Sequence, residues 1–396
     1  MDFTLTPDQL AVVDAVRQVV KKHEPHRERY IRQIYHEKNY PEEVWQDLAG
    51  AGFFGSVLPE EYGGTGLGLL PFTLGFEELA YAGLANAFQV LTVMDALCIL
   101  RNGDAALKQR ILPGVAEGKL KLGFALTEPD AGSNTFRIRT MARRDGDAYR
   151  VTGQKTFITG ADKADLMLLP CRSLSAEDVA AKGLPKAYGF TVLLVDPKSR
   201  GIELRPIPTR GIEGYEQFAV FLDDVAVPAA NRVGKEHEGA QALFNSLNPE
   251  RILAAAVACG MTRYLLDKAC AYARTRNVFG KAPIGAYQAI QHPLAELRIR
   301  LDASRLLTYR AAWGFDQGLD PAEIGTYANM AKYTAAEMVI DAADRAIQTL
   351  GGYGFSEEYG IIHLWEAARL LRTAPITKEM ILNFVSEHVL GLPRSY

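Results

Sequence analysis

The stretch Leu126-Thr127-Glu128-Pro129-Asp130-Ala131-Gly132-Ser133-Asn134 leaves a short β-type run and breaks it in a turn. Its Pro, Asp, Gly and Ser are turn formers that leave small donors and exposed backbone at a strand end. About twenty residues on stands Gly153-Gln154-Lys155-Thr156-Phe157-Ile158-Thr159-Gly160. Period-two alternation there puts Phe157 and Thr159 on one face of a strand. A third stretch, Arg274-Thr275-Arg276-Asn277-Val278-Phe279-Gly280, closes a long helical run with cations and a glycine. Singly, each has a plain reading: a turn, a half-buried strand, and a helix end whose cations face the last carbonyls.

Outward from these stretches the chain falls into three textures. Residues 1–120 read as an N-terminal helical domain. It opens on the capping box Thr6-Pro7-Asp8-Gln9, restarts at Pro41-Glu42-Glu43, and continues in helical runs near 71–84, 86–101 and 104–117. Residues 121–233 carry short β-branched and aromatic runs at spacings near ten, punctuated by Asp145-Gly146, Gly153, Pro197 and Gly201, which suggests a small antiparallel β-barrel. Residues 234–396 return to helix in runs near 249–277, 285–317, 321–350 and 377–390, which suggests a four-helix bundle. The fold class expected is mainly α with a central β-barrel domain.

Composition sets outer limits. The 396 residues are 48% hydrophobic and 23% charged, which is ordinary globular usage. Lys+Arg 44 against Asp+Glu 47 argues against a broad nucleic-acid surface. Cys98, Cys171, Cys259 and Cys270 form no C-x-x-C pair, and the N-terminal residues do not form a secretory signal. The apolar run 252–261 is too short to span a bilayer, and 84–100 is broken by Asn86, Gln89 and Asp95, so no membrane insertion is expected and the location read is cytoplasmic. Gly63–Gly68 and Gly351–Gly354 do not fit a dinucleotide fingerprint, and there is no P-loop. The seven histidines are scattered and predict no metal site, and no serine sits in a nucleophile elbow.

Taken together, the order and spacing of the three stretches, with Tyr287-Gln288-Ala289-Ile290-Gln291 and Gln348-Thr349-Leu350-Gly351-Gly352-Tyr353-Gly354-Phe355, resemble the acyl-CoA dehydrogenase family over essentially the whole chain. That resemblance implies FAD between the β-domain and the C-terminal bundle. It assigns Phe124, Leu126 and Thr127 to the flavin ring, and Gly132 and Ser133 to the turn reaching the pyrophosphate and the CoA arm. Phe157 takes a place more often held by Trp, and Thr159 matches a flavin-contacting Thr. Arg276, Phe279, Gln288, Gln348 and Gly352 match positions that reach the FAD of a neighbouring subunit, which implies an oligomer, a homotetramer in most of the family. Thr377 and Glu379 match the stretch over the adenosine side.

The reaction implied removes an α-proton from an acyl-CoA thioester while a β-hydride passes to flavin N5. Electrons then go to an electron-transferring flavoprotein. A carboxylate in a water-poor site must act as base. Counting from Gly351-Gly352, the family's commoner position for that glutamate falls at Pro375, which cannot take a proton. The second known position falls at Glu250 in Asn248-Pro249-Glu250-Arg251. Read without the family, this is a helix start with Asn as cap and Pro in the first turn, where the helix dipole would oppose the effect of burial on the acid. Arg251 matches an arginine near the CoA site, and Asn248 replaces an acid found there in many members. A reductase of an enoyl-type thioester on the same fold, or a non-catalytic flavoprotein subunit, are the alternatives.

Overall fold

The computed structural model describes residues 4–395 apart from Glu213 and Lys281, and only the backbone of Asn245. The helices are α1 Pro7–His23, α2 Arg27–Ile31, α3 Glu42–Gly50, α4 Leu69–Ala82, α5 Ala87–Asn102, α6 Ala105–Ala116, α7 Ala176–Ala181, α8 Gly239–Thr275, α9 Gln288–Asp316, α10 Pro321–Leu350, α11 Ile361–Leu370 and α12 Lys378–Phe384. Thr6 and Gln9 exchange the two bonds of a capping box at α1, and Asn86 and Gln89 do the same at α5. Helix α4 has no cap of its own. Its first amides, Leu69 and Leu70, donate to the Asp316 carboxylate at 2.6 and 2.8 Å, so the last residue of α9 caps it from outside. Gly68, at φ +100°, leaves room for that carboxylate, since a Cβ there would sit 2.6 Å from it.

The C-terminal part departs from a bundle of four long helices. Three helices are long (α8, α9 and α10), but residues 377–390 give only the seven-residue α12 and a π-turn, Val385–Val389. The ten-residue α11 packs on α10 instead. Glu77 of α4 fastens the N-terminal helices to this group. It is buried and accepts from Arg263 of α8 (2.8 Å) and from Tyr309 of α9 (2.5 Å), with Arg305 at 3.1 Å.

The strands are β1 Leu122–Phe124, β2 Met141–Asp145, β3 Ala148–Thr159, β4 Leu166–Arg172, β5 Phe190–Val195, β6 Ile202–Ile207, β7 Gln217–Pro228 and β8 Arg232–Val233. They form one sheet in the order β6-β7-β3-β2-β4-β5-β8, with β1 added beside β4. This corrects the expectation of an antiparallel barrel. Among the described residues the edge strands β6 and β8 do not pair, and β1 runs parallel to β4. The physical reason lies in what covers the sheet. Helix α5 packs on β1 and α8 on β5, so helices bury the apolar face that closure would otherwise have to bury.

The two signature stretches are tied by a buried ion pair. Lys155 of β3 is fully buried and donates to the Glu128 carboxylate (2.8 Å) and to the carbonyls of Leu126 (3.1 Å) and Pro170 (2.8 Å). Glu128 also accepts from the amides of Arg139 and Thr140. Burial alone would push this carboxyl up. Lys155 and those donors together outweigh it and hold it below the ordinary carboxylate range. Replacing Lys155 by Met strands a buried carboxylate and should cost about 3–5 kcal/mol in urea unfolding. The double variant Lys155→Met/Glu128→Leu should recover only part of that loss, because the carbonyls of Leu126 and Pro170 and the amides of Arg139 and Thr140 lose the partners the ion pair gave them.

Candidate active site

The bond from Thr156 N–H to the carbonyl of Thr127 (2.9 Å) sets the 126–134 turn against β3. Beside it, the β3–β7 register shifts between Lys155 and Ile158, and Phe157 takes φ +55°. The bulge interrupts the simple alternation expected for Phe157 and Thr159. Phe157 is thrown out to 56% exposure, whereas Thr159 stays half-buried and its hydroxyl donates to Gln217 (3.1 Å). A bulky residue at positive φ is costly, and such outliers gather at functional sites. Phe124 and Thr127 are half-buried, Leu126 is buried, and Gly132 and Ser133 are exposed at the turn.

Leu126, Ala131 and Ile138 pack with Phe190 against Ala240 and Leu243, the first turn of α8. That packing overturns the reading of Asn248-Pro249 as a helix start. Helix α8 begins at Gly239, and Pro249 lies inside it. An interior proline costs about 3 kcal/mol, and the apolar burial of the preceding turns opposes that cost. Glu250 therefore stands in the body of a 37-residue helix, away from its N-terminal dipole. It is half-buried, and burial raises its carboxyl to about 7 against the opposing pull of Arg251 and Lys332. Arg251 donates to Asn248 (3.0 Å), and Asn248 donates to the carbonyl of Pro321 (3.2 Å), so these two are engaged with each other and with the start of α10. Lys332 of α10 is buried and donates to the carbonyl of Ile376 beside Pro375. Burial lowers its ammonium to about 8. The stretch where the commoner base would stand is thus tied to the residue that faces Glu250. Thr377 caps α12 through the amide of Met380, and Glu379 is exposed next to it.

A second carboxyl here escaped the sequence reading. Asp95 of α5 is fully buried, and neither oxygen has a protein partner among the described residues. Cys98, one turn on, meets the carbonyl of Ala242 (3.9 Å), and Ser246 and Glu250 follow at one-turn steps along α8. Burial first, and then Glu250, holds Asp95 well above the ordinary range. In the sequence Asp95 only interrupts an apolar run, and no spacing links it to Glu250.

Arg276, Phe279, Gln288, Gln348 and Gly352 lie elsewhere. They are exposed where α8 ends, α9 begins and α10 ends, and Tyr272 meets Tyr353 there edge-on at 6.2 Å. From Glu250 to Thr275 the axis of α8 runs roughly 37 Å. The structure therefore does not bring these five residues together with Glu250. Folding also gathers His36, Glu357 and His363, scattered in the sequence, at one corner.

Family models for the acyl-CoA dehydrogenase N-terminal, middle and C-terminal domains match residues 6–119, 123–225 and 237–390. The acyl-CoA dehydrogenase FadE12 of Mycobacterium tuberculosis (strain ATCC 25618 / H37Rv) is 44% identical over 355 residues, 89% of each chain. A glutaryl-coenzyme A dehydrogenase solved with glutaryl-CoA superposes with a TM-score of 0.91 at 31% identity, covering 100% of this chain and 98% of that one. A glutaryl-CoA dehydrogenase from Mycobacterium smegmatis in complex with FADH2 gives 0.86 at 26%, covering 99% and 96%. These similarities and the fold define an oxidoreductase acting on a CH–CH bond. The chain belongs to the acyl-CoA dehydrogenase family.

Asp95 binds a proton when folded at pH values where the unfolded chain has released it, so its contribution to stability is lost as pH rises from about 4. Asp95→Asn should therefore raise the urea midpoint at pH 8 and leave it nearly unchanged at pH 4.

Proposed function

We propose that the protein is an FAD-dependent dehydrogenase that introduces an α,β double bond into an acyl-CoA thioester, with Glu250 as the base. The observation that carries this is a half-buried glutamate raised to about 7, on the helix that packs against the 126–138 turn, in a chain with proline at the alternative position. The cofactor is FAD. Exposed Phe157, Thr159 and the Thr127–Ser133 turn form a contiguous aromatic and donor-bearing surface that fits a flavin, with Gly132 open to close approach. Bound FAD supplies the acceptor for the β-hydride.

Glu250 takes the α-proton. A carboxylate with a proton affinity near neutrality is a stronger base than an exposed one, about half ionised at pH 7 and mostly ionised at pH 8. Lys332 and Arg251 keep that ionised form accessible despite burial. Burial raises Asp95 well above the ordinary carboxylate range, which disfavours a second negative charge beside Glu250. Among the sequence expectations, Arg251 and Ser133 would serve the CoA arm, while Asn248 holds Arg251 in position.

The assembly proposed is a homotetramer. Supporting this are Phe279 at 94% exposure and a stripe of exposed Ile299, Leu306 and Trp313 at heptad spacing on α9, apolar surface suited to a second copy of the chain. The distance from Glu250 to the Arg276 cluster suits a cofactor shared between subunits. Electrons leave to an electron-transferring flavoprotein, as the family resemblance implies.

Anaerobic titration with a panel of acyl-CoA esters tests the reading through bleaching of the flavin. Glu250→Gln should retain FAD and slow bleaching about 10²–10⁴-fold, and full bleaching in that variant would overturn the assignment. In the wild type, the second-order rate of reduction should fall about tenfold per pH unit below pH 7 and level off above it. Leu306→Asp should shift sedimentation towards smaller species.

A further inference from the structure

One side-chain grouping has no part in dehydrogenation. His36 closes a π-turn, Arg32–His36, after α2; Glu357 stands in the turn 356–360; His363 lies in the first turn of α11. One ligand atom from each lies within 4.8 Å of the others, and His36 Nε2 is 4.0 Å from Glu357 Oε2. Tyr35 stacks on the His363 ring with centroids 4.5 Å apart, while His36 meets the same ring edge-on at 5.7 Å. An α-helix turns successive side chains apart by about 100°. The wider π-turn brings two successive residues onto one imidazole, and such turns recur at functional sites.

We propose that His36, Glu357 and His363 bind a divalent transition metal of the zinc type, clipping the N-terminal helices to α11. The donor set decides the class. Two imidazoles and one carboxylate suit zinc and its neighbours, whereas calcium and magnesium call for oxygen ligands. Ligand atoms around tetrahedral zinc sit about 3.4 Å apart, so the group needs to close by roughly an ångström. The parts that must move are the ones able to. His36 and Glu357 are exposed, whereas His363 is buried under Tyr35 and supplies the fixed ligand. The fourth position opens on the exposed side, where water completes the shell. Because α11 is also paired to the 207–217 connection through Glu366 and Arg210 (2.8 Å), a metal at its start would tie down three parts of the fold.

The test uses the FAD-loaded full chain, stripped with chelator and titrated with Zn²⁺ by calorimetry and with Co²⁺ by visible absorption. The expected result is one ion per chain, a tetrahedral-type cobalt spectrum and a higher thermal midpoint with zinc. His36→Ala and Glu357→Gln, both at exposed positions, should each weaken binding at least about tenfold, and together abolish the cobalt spectrum. His363→Gln should do so alone. Absence of uptake at micromolar metal, or uptake unchanged in the His36→Ala/Glu357→Gln variant, overturns the proposal.

Discussion

The buried pair of Lys155 and Glu128 is the constraint on which the site depends. Neither charge could stay in the interior alone, and each is compensated by groups from the other's neighbourhood. Because Lys155 also holds the carbonyls of Leu126 and Pro170, one ammonium fixes the relative position of β3, β4 and the turn after β1. A hydrophobic pair could fill the same volume, but it would not satisfy those carbonyls or the amides of Arg139 and Thr140. The specificity of that arrangement leaves Thr127 and the bulged Phe157 on adjoining backbone, the surface proposed to meet the flavin.

From this point the remaining geometry is set by α8. Its first turns are held against the 126–138 turn, and its middle carries Glu250 against α5 and α10. Its far end delivers Arg276 to the opposite end of the molecule. One element thus sets both Glu250 and a cluster too remote to meet it within one chain. The proline inside the helix belongs to the same compromise. It removes a backbone bond one residue before Glu250, within a segment whose tertiary contacts keep it helical.

What was legible in the sequence follows the range of the interactions. The capping box at Thr6 is local, and the Pro321–Leu350 helix runs over the span its periodicity predicts. The signature stretches carried the family, because chemistry fixes residue types there. Errors came where burial overrode local signals. Asn248-Pro249 carries every local mark of a helix start, but buried Ala240, Ala242 and Leu243 pull the start back to Gly239. Alternating strands suggested closure, but helices cover the sheet. Asp95, Lys332 and the His36–Glu357–His363 corner join residues far apart in the chain, and no spacing rule reaches them.

The near-zero net charge can be read through these same residues. A protein that recognises anionic ligands by surface charge needs an excess of one sign, and this one has none. Its ionisable groups act instead through placement. Glu250 rises because water is excluded, and Lys332 falls for the same reason, so at neutral pH each lies close to exchanging a proton. Burial, and then the nearness of Glu250, raises Asp95 well above its ordinary range. Three ionisable side chains around one helix turn therefore carry less charge than their formulas suggest. Such a site can hold a carboxylate base beside an apolar acyl chain without a full counter-charge, because the surroundings reduce the number of charges before any substrate arrives. The burial that weakens each group as an ion is also what would make Glu250 effective in the proposed role of base.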